Sequence, residues 1–188
     1  MSEDFLKDPL ALFSVKGKTA IVTGATGALG AIAAKTLAAA GANVVITANN
    51  AEGLKKIAAE CVKLGGKAEV VAKRPSSEAN CDAIVQAAVD KFGSVDILVV
   101  ASGQNKVAKI TDQKPEDFLD VMDANVTQSW LMSRSAARQM MKQGKGGKIT
   151  ITAAHDDGKA DYSAEVAALA SAGGEALVVA GYVDQGGS

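Results

Sequence analysis

The chain has 188 residues, 48% of them hydrophobic and 22% charged, with a net charge of −1. That length suits one large domain, and that composition is of the ordinary globular kind. The near-neutral charge, with Lys and Arg scattered over helix faces, argues against nucleic acid and against an anionic membrane as partners.

The opening residues MSEDFLKDPLALFSVKGK carry acids at Glu3 and Asp4 where a secretory leader needs cations followed by an apolar run. Residues 1–14 read as an N-terminal extension. TAIVT (19–23) is the first strand, and TGATGALG (23–30) follows it before the helical run AIAAKTLAAA (31–40). NVVIT (43–47) is a second strand, then comes a helix from Glu52 to Leu64 stopped by Gly65 and Gly66. AEVVA (68–72) and a helix from Glu78 to Phe92 follow, then DILVV (96–100). Pro115 opens a helix at the first-turn position where proline is tolerated, and a long helix runs from there to Gln143. KITIT (148–152) is a fifth strand, and ALVVA (176–180) a sixth.

Short β-branched, nearly continuous apolar runs alternating with helices predict an α/β fold with a parallel sheet covered on both faces. No composition shift marks a boundary, so residues 1–188 are expected to form a single Rossmann-type doubly wound domain of about six strands. Cys61 and Cys81 fall inside amphipathic helices with no metal-ligand spacing, and read as buried or half-buried free thiols in a reducing cytoplasm. His155 is the only histidine, so no multi-histidine metal site is expected. His155 with Asp156 and Asp157 reads as a polar loop before it reads as an acid–base pair, and GKGGK (144–148) as a solvated turn, since it precedes a strand. Val126, Trp130, Ala137 and Met141 recur at helical spacing and are expected in the core.

The glycine loop is the feature that carries chemistry. Gly24 allows a tight turn at the strand end, Gly27 allows the backbone to approach a pyrophosphate, and Gly30 allows the helix to pack closely. The helix N-terminus then presents free N–H groups to an anion. Thr23, Gly24, Thr26, Gly27, Leu29 and Gly30 are therefore the expected cofactor contacts.

From about Val15 to Thr152 the sequence resembles the short-chain dehydrogenase/reductase family, through GKTAIVTGATGALG (17–30), GSVDILV (93–99), DANV (123–126) and GGKITIT (146–152). The resemblance implies NAD or NADP as cofactor, with hydride transfer to or from an alcohol or carbonyl. It adds Asn49 and Gly103 to the cofactor contacts, and Asn125 and Tyr162 to the catalytic candidates. Several positions depart from the family pattern. Ala28 stands where the second glycine usually falls, and Ala48 and Asn49 where a ribose-binding acid or a phosphate-binding arginine is usual. Arg74 replaces the family's adenine-contacting aspartate, and Val100 the asparagine of the turn after the fourth strand. Ala153 and Ala154 stand at the serine position. Tyr162 is followed four residues later by Val166, not Lys.

The tail fits the family's extreme C-terminus better than its catalytic helix, as ALAS (168–171) and VDQGGS (183–188) suggest. On that alignment 153–162 is a loop replacing the catalytic segment, and 163–188 a terminal helix and strand. The expectation is a shortened, redesigned or degenerate scaffold that binds NAD(P) or an adenine nucleotide weakly, with hydride transfer lost. The alternatives are an active oxidoreductase with proton transfer by Tyr162, Lys159 or His155, and a scaffold without a ligand. In the family the long helix also builds a dimer interface, so self-association through 116–143 is a further expectation.

Overall fold

A computed structural model describes residues 7–144 and 147–151. After a 3₁₀ turn at Pro9–Phe13, the chain alternates strand and helix: β1 (Thr19–Thr23), α1 (Ala28–Ala39), β2 (Asn43–Thr47), α2 (Ala51–Lys63), β3 (Lys67–Val71), α3 (Glu78–Phe92) and β4 (Ile97–Val100). α4 (Pro115–Met122), a π-helical turn (Asp123–Thr127), α5 (Gln128–Gln143) and β5 (Lys148–Ile151) complete it. The sheet is parallel with order β3-β2-β1-β4-β5, the Rossmann order in which the sequence of strand addition reverses between β1 and β4. The sixth expected strand, at 176–180, lies outside the described residues.

Alternation along the strands divides the core. Ala20, Val22, Val44 and Ile46 face α1 and α2, where they pack with Ala34, Ala38, Leu54 and Cys61. Ile21, Val45 and Leu98 face the other way, onto Cys81, Ile84 and Ala88 of α3 and Met132, Ala136 and Met140 of α5. All five residues of β1 are buried, as the central strand of a doubly covered sheet requires. Both cysteines are buried free thiols.

Helix ends follow their sequence signals. Ser77 and Asn50 cap α3 and α2 through their side-chain oxygens, and Gly93 ends α3 in the left-handed conformation. Pro115 opens α4. The expected single helix to Gln143 is instead interrupted by the π-helical turn at DANVT. The expected core face of that helix is also corrected: Val126, Trp130 and Met141 are 53%, 58% and 81% exposed, while Gln128, Ser129, Met132, Ser135, Ala136 and Met140 are buried. The two serines of the buried face are paired. Ser129 Oγ donates back to the Asn125 carbonyl at 2.8 Å, and Ser135 Oγ donates across to the Asp82 carboxylate of α3 at 2.6 Å. Gln128 donates to Asp123 at 2.8 Å, while its own Oε1 is buried without a partner among the described residues.

Candidate functional site

The carboxyl ends of β1 and β4 meet at the point where the strand order reverses, and the glycine loop lies there. This is where an open parallel sheet leaves a crevice for a ligand. The loop is fixed from three sides. Ala25 N–H donates to the Thr47 carbonyl at the end of β2, at 3.2 Å. Gly27 N–H donates to the Gly24 carbonyl at 2.9 Å, closing the turn. Across from it, Thr23 Oγ1 accepts from Ala101 N–H at 3.2 Å and shares a hydrogen bond with Ser102 Oγ at 3.0 Å, joining the loop to the segment after β4.

The three glycines do different work. Gly24 has φ +63°, and a Cβ there would stand 2.5 Å from the Ala101 carbonyl oxygen. A Cβ on Gly30 would overlap the Gly24 carbonyl, so Gly30 packs α1 against the loop itself more than against the sheet. Gly27 differs: its φ is −80°, and a Cβ would meet only the Gly24 carbonyl oxygen, at 3.3 Å. Gly27 is thus less tightly enclosed by the protein's own packing than Gly24 and Gly30. Thr26, Gly27, Ala28 and Leu29 form an exposed arc between the buried Ala25 and Gly30. Gly27 is the N-cap of α1 and supplies no side chain, so the first-turn N–H groups of the helix keep their hydrogen-bonding capacity for an outside acceptor. An open arc of backbone donors at the positive end of a twelve-residue helix fits a pyrophosphate.

At the adenosine side, Asn49 is exposed, whereas the Asn50 Oδ1 caps α2 by accepting from Gly53 N–H at 2.9 Å. Thr26 packs beside this cap: a Cβ on Gly53 would stand 2.9 Å from Thr26 Cγ2. At the opposite side, Asn125 is in the π-helical turn. Its Oδ1 accepts from Gln104 N–H and its Nδ2 donates to the Gln104 carbonyl, both at 2.9 Å. A Cβ on Gly103 would lie 2.7 Å from that Oδ1, so Gly103 is glycine to let the amide in. Asn125 therefore positions the segment after β4. Its partner Gln104 also donates to the Asp120 carbonyl at 2.9 Å. Lys106 then bridges Asp117 and Asp120 at 2.7 and 2.6 Å, and the hydrogen bonds hold the ammonium's pKa above its ordinary value.

Sequence reasoning missed this clip and the π-helical turn, because neither Gln104–Lys106 nor DANVT departs from ordinary loop and helix composition. Tyr162, Lys159 and His155, with the expected loop 153–162 and tail 163–188, lie outside the described residues. No group of three or more metal-ligating side chains occurs among the described residues, and no described helix is long and apolar enough to cross a membrane.

Comparison with known proteins agrees with this geometry. The family described as short chain dehydrogenase matches residues 18–171. An uncharacterized oxidoreductase of Mycobacterium tuberculosis is 44% identical over 160 residues, covering 82% of this chain and 58% of the relative. The chain thus spans little more than half the length of that relative. Among solved structures, a short-chain type dehydrogenase/reductase from Mycobacterium marinum superposes with TM-score 0.76 at 32% identity, covering 81% of this chain and 62% of the other. An NAD⁺-bound xylitol dehydrogenase superposes with TM-score 0.78 at 29% identity, covering 92% and 73%.

Proposed function

The chain belongs to the short-chain dehydrogenase family, and from that premise we propose that residues 1–188 form one dinucleotide-binding Rossmann unit that takes NAD(P)(H). One observation carries the reading: Gly24 and Gly30 are glycines that the fold itself needs, whereas Gly27 leaves an open arc of backbone donors at the α1 N-terminus. The pyrophosphate would rest on Thr26, Gly27, Ala28 and Leu29, with Thr23 and Gly24 setting the turn beneath it. Asn49 would reach the adenosine ribose and Gly103 would line the nicotinamide side. When bound, the cofactor supplies the hydride; the chain's part is to hold and orient it.

Hydride transfer by these residues is slow or lost in this reading. The tyrosine–lysine pair that the family resemblance leads one to expect has no counterpart, since Val166 stands four residues after Tyr162. General acid help of that kind is worth roughly 10²- to 10⁴-fold in rate. Binding of NAD(P) or an adenine nucleotide is weak in this reading, because no charged side chain at the end of β2 grips the ribose. A second reading, an active oxidoreductase with proton transfer through Tyr162, is supported by the oxidoreductase name of the Mycobacterium tuberculosis relative. Self-association through 116–143 is supported by the exposed row Phe118, Leu119, Met122, Val126 and Trp130 along α4, the π-helical turn and α5. A cytoplasmic, reducing setting agrees with two unpaired thiols.

Calorimetric titration with NADH and NADPH tests the binding. Saturable heat is expected, and its absence at millimolar ligand removes the proposal. Cofactor consumption with a panel of carbonyl substrates separates the two readings. Turnover abolished by Tyr162→Phe supports the active enzyme; no turnover above background supports the binding unit.

A further inference from the structure

The buried hydroxyl of Thr23 fixes the direction of its neighbour's. Thr23 ends β1, pairs in register with Val100 of β4 and is 0% exposed. Its Oγ1 accepts from Ala101 N–H at 3.2 Å and lies 3.0 Å from Ser102 Oγ. A threonine hydroxyl has one proton to give, and among the described residues Ser102 Oγ is the acceptor within reach of it. Were Ser102 the donor, the Thr23 proton would be left unpaired inside the protein, at the full cost of its desolvation. Thr23 therefore donates and Ser102 accepts.

That direction frees the Ser102 proton. Ser102 Oγ makes no other hydrogen bond among the described residues, and the residue is half-buried, next to the exposed Gly103. Its backbone borders the glycine loop, since a Cβ on Gly24 would stand 2.7 Å from Ser102 N. The hydroxyl is thus anchored from its buried side, and keeps one proton and one lone pair for an occupant of the crevice. Its rotation is restricted before any ligand arrives, so ordering it on binding costs little. Gly103 beside it offers backbone alone.

A dinucleotide crosses the crevice where the strand order reverses, with its pyrophosphate at the α1 N-terminus and its adenosine ribose toward the end of β2. β4 lies on the other side of β1 from β2, so the segment after β4 meets the half beyond the pyrophosphate. A sugar hydroxyl both gives and accepts a proton, which matches the proton and lone pair that Ser102 keeps; a phosphate oxygen only accepts. We infer that Ser102, oriented by Thr23, binds a hydroxyl of the nicotinamide-side ribose and holds that half of the cofactor over the end of β4. The inference rests on the dinucleotide-binding reading above and adds to it a side-chain contact to the half that carries the hydride.

Calorimetry on the full chain compares NADH and ADP-ribose, which carry the second ribose, with 5′-ADP, which lacks it. Ser102→Ala is expected to weaken NADH and ADP-ribose about three- to tenfold, the worth of one neutral hydrogen bond, and to leave 5′-ADP as in the parent protein. Alanine also strands the Thr23 proton, so the melting temperature is measured alongside. Ser102→Cys is the second variant: it keeps the size of the side chain with a much weaker donor, and shifts the same two ligands in the same direction. NADH bound as in the parent protein by both variants overturns the Ser102 contact and leaves dinucleotide binding intact. Equal weakening of all three ligands overturns it too, as a change in the shape of the loop. A loss confined to NADH overturns the ribose as its target. A parent protein that binds neither NADH nor ADP-ribose overturns the dinucleotide reading, and this one with it.

Discussion

Gly24 and Gly27 are glycines for different reasons, and substitution separates them. An alanine at Gly24 would be strained twice, by φ +63° and by a Cβ 2.5 Å from a backbone carbonyl. Gly24→Ala is expected to cost on the order of 3 kcal/mol and to lower the melting temperature by roughly 10 °C. At Gly27 a Cβ meets one atom, the Gly24 carbonyl oxygen at 3.3 Å, and an acid at an N-cap suits the helix, so Gly27→Asp is expected to keep the fold. The same carboxylate repels a pyrophosphate, and dinucleotide affinity is expected to fall at least about tenfold, read by calorimetry. Loss of stability in Gly27→Asp, or binding as in the parent, would contradict the division of roles. Cysteine gives a second check on the residues. Burial, then the neighbouring Asp82 and Glu78, push the Cys81 thiol up to about 11, and burial also raises Cys61. At neutral pH the Cys81 thiolate is then about one part in 10⁴, and both side chains are inaccessible. A thiol-specific reagent should leave both unmodified in the native protein and label both only at the rate of unfolding; fast labelling would refute their burial.

Among the elements, β4 is held at both ends by amide side chains of the helical segment that follows it. Gln143 accepts from Val95 N–H at 2.8 Å and donates to the Val95 carbonyl at 2.9 Å, just before the strand. Asn125 does the same to Gln104 just after it. Each amide pairs with the backbone as a neighbouring strand would. Asn125→Leu leaves two part-buried backbone groups unpaired, and a loss of about 1–3 kcal/mol is expected in denaturant unfolding. A loss below the error of measurement would mean that the pairing contributes nothing. The Lys106 clip adds a pH dependence. The hydrogen bond from Lys106 holds the Asp117 carboxyl below its ordinary value. Its contribution is present above the unfolded carboxylate's pKa, near pH 4, and is lost as pH falls through the lower folded value. The raised Lys106 contributes below its own unfolded pKa and is lost as pH rises through the folded one. Titration of Asp117 followed by NMR should move up in Lys106→Met; an unmoved midpoint would dismiss the clip. The effect on stability is small, because these groups are exposed and screened by salt.

For the whole molecule, what the sequence made legible depended on which signal each part carries. The strands were readable because buried parallel strands are apolar at nearly every position, and TAIVT, NVVIT and ILVV are. The glycine loop was readable because its residues have few other reasons to stand between a strand and a helix. α5 was misread because hydrophobic periodicity assumes that the apolar face is the inner one. Here Ser129 and Ser135 go inside with hydrogen-bond partners, and Trp130 and Met141 outside. That inversion leaves Phe118, Leu119, Met122, Val126 and Trp130, mostly four residues apart, on the outer side of α4, the π-helical turn and α5. Arg134 lies over the Trp130 ring, 5.3 Å from its centroid, and is ion-paired to Glu78 at 2.8 Å, so the indole is held in place while still 58% exposed. A row of large apolar side chains with a fixed aromatic at one end is the composition of an interface centre more than of a solvated helix face. If two copies meet through this row, Trp130 is its anchor. Trp130→Glu then places a charge at its centre and should convert a dimer to a monomer, weakening association by 2 kcal/mol or more, about thirtyfold in Kd. The fold should survive, since the side chain supports no core packing. Sedimentation velocity across a concentration series reads the outcome: a parent protein that is monomeric at every concentration, or a Trp130→Glu variant that associates as the parent does, rules the row out as the contact.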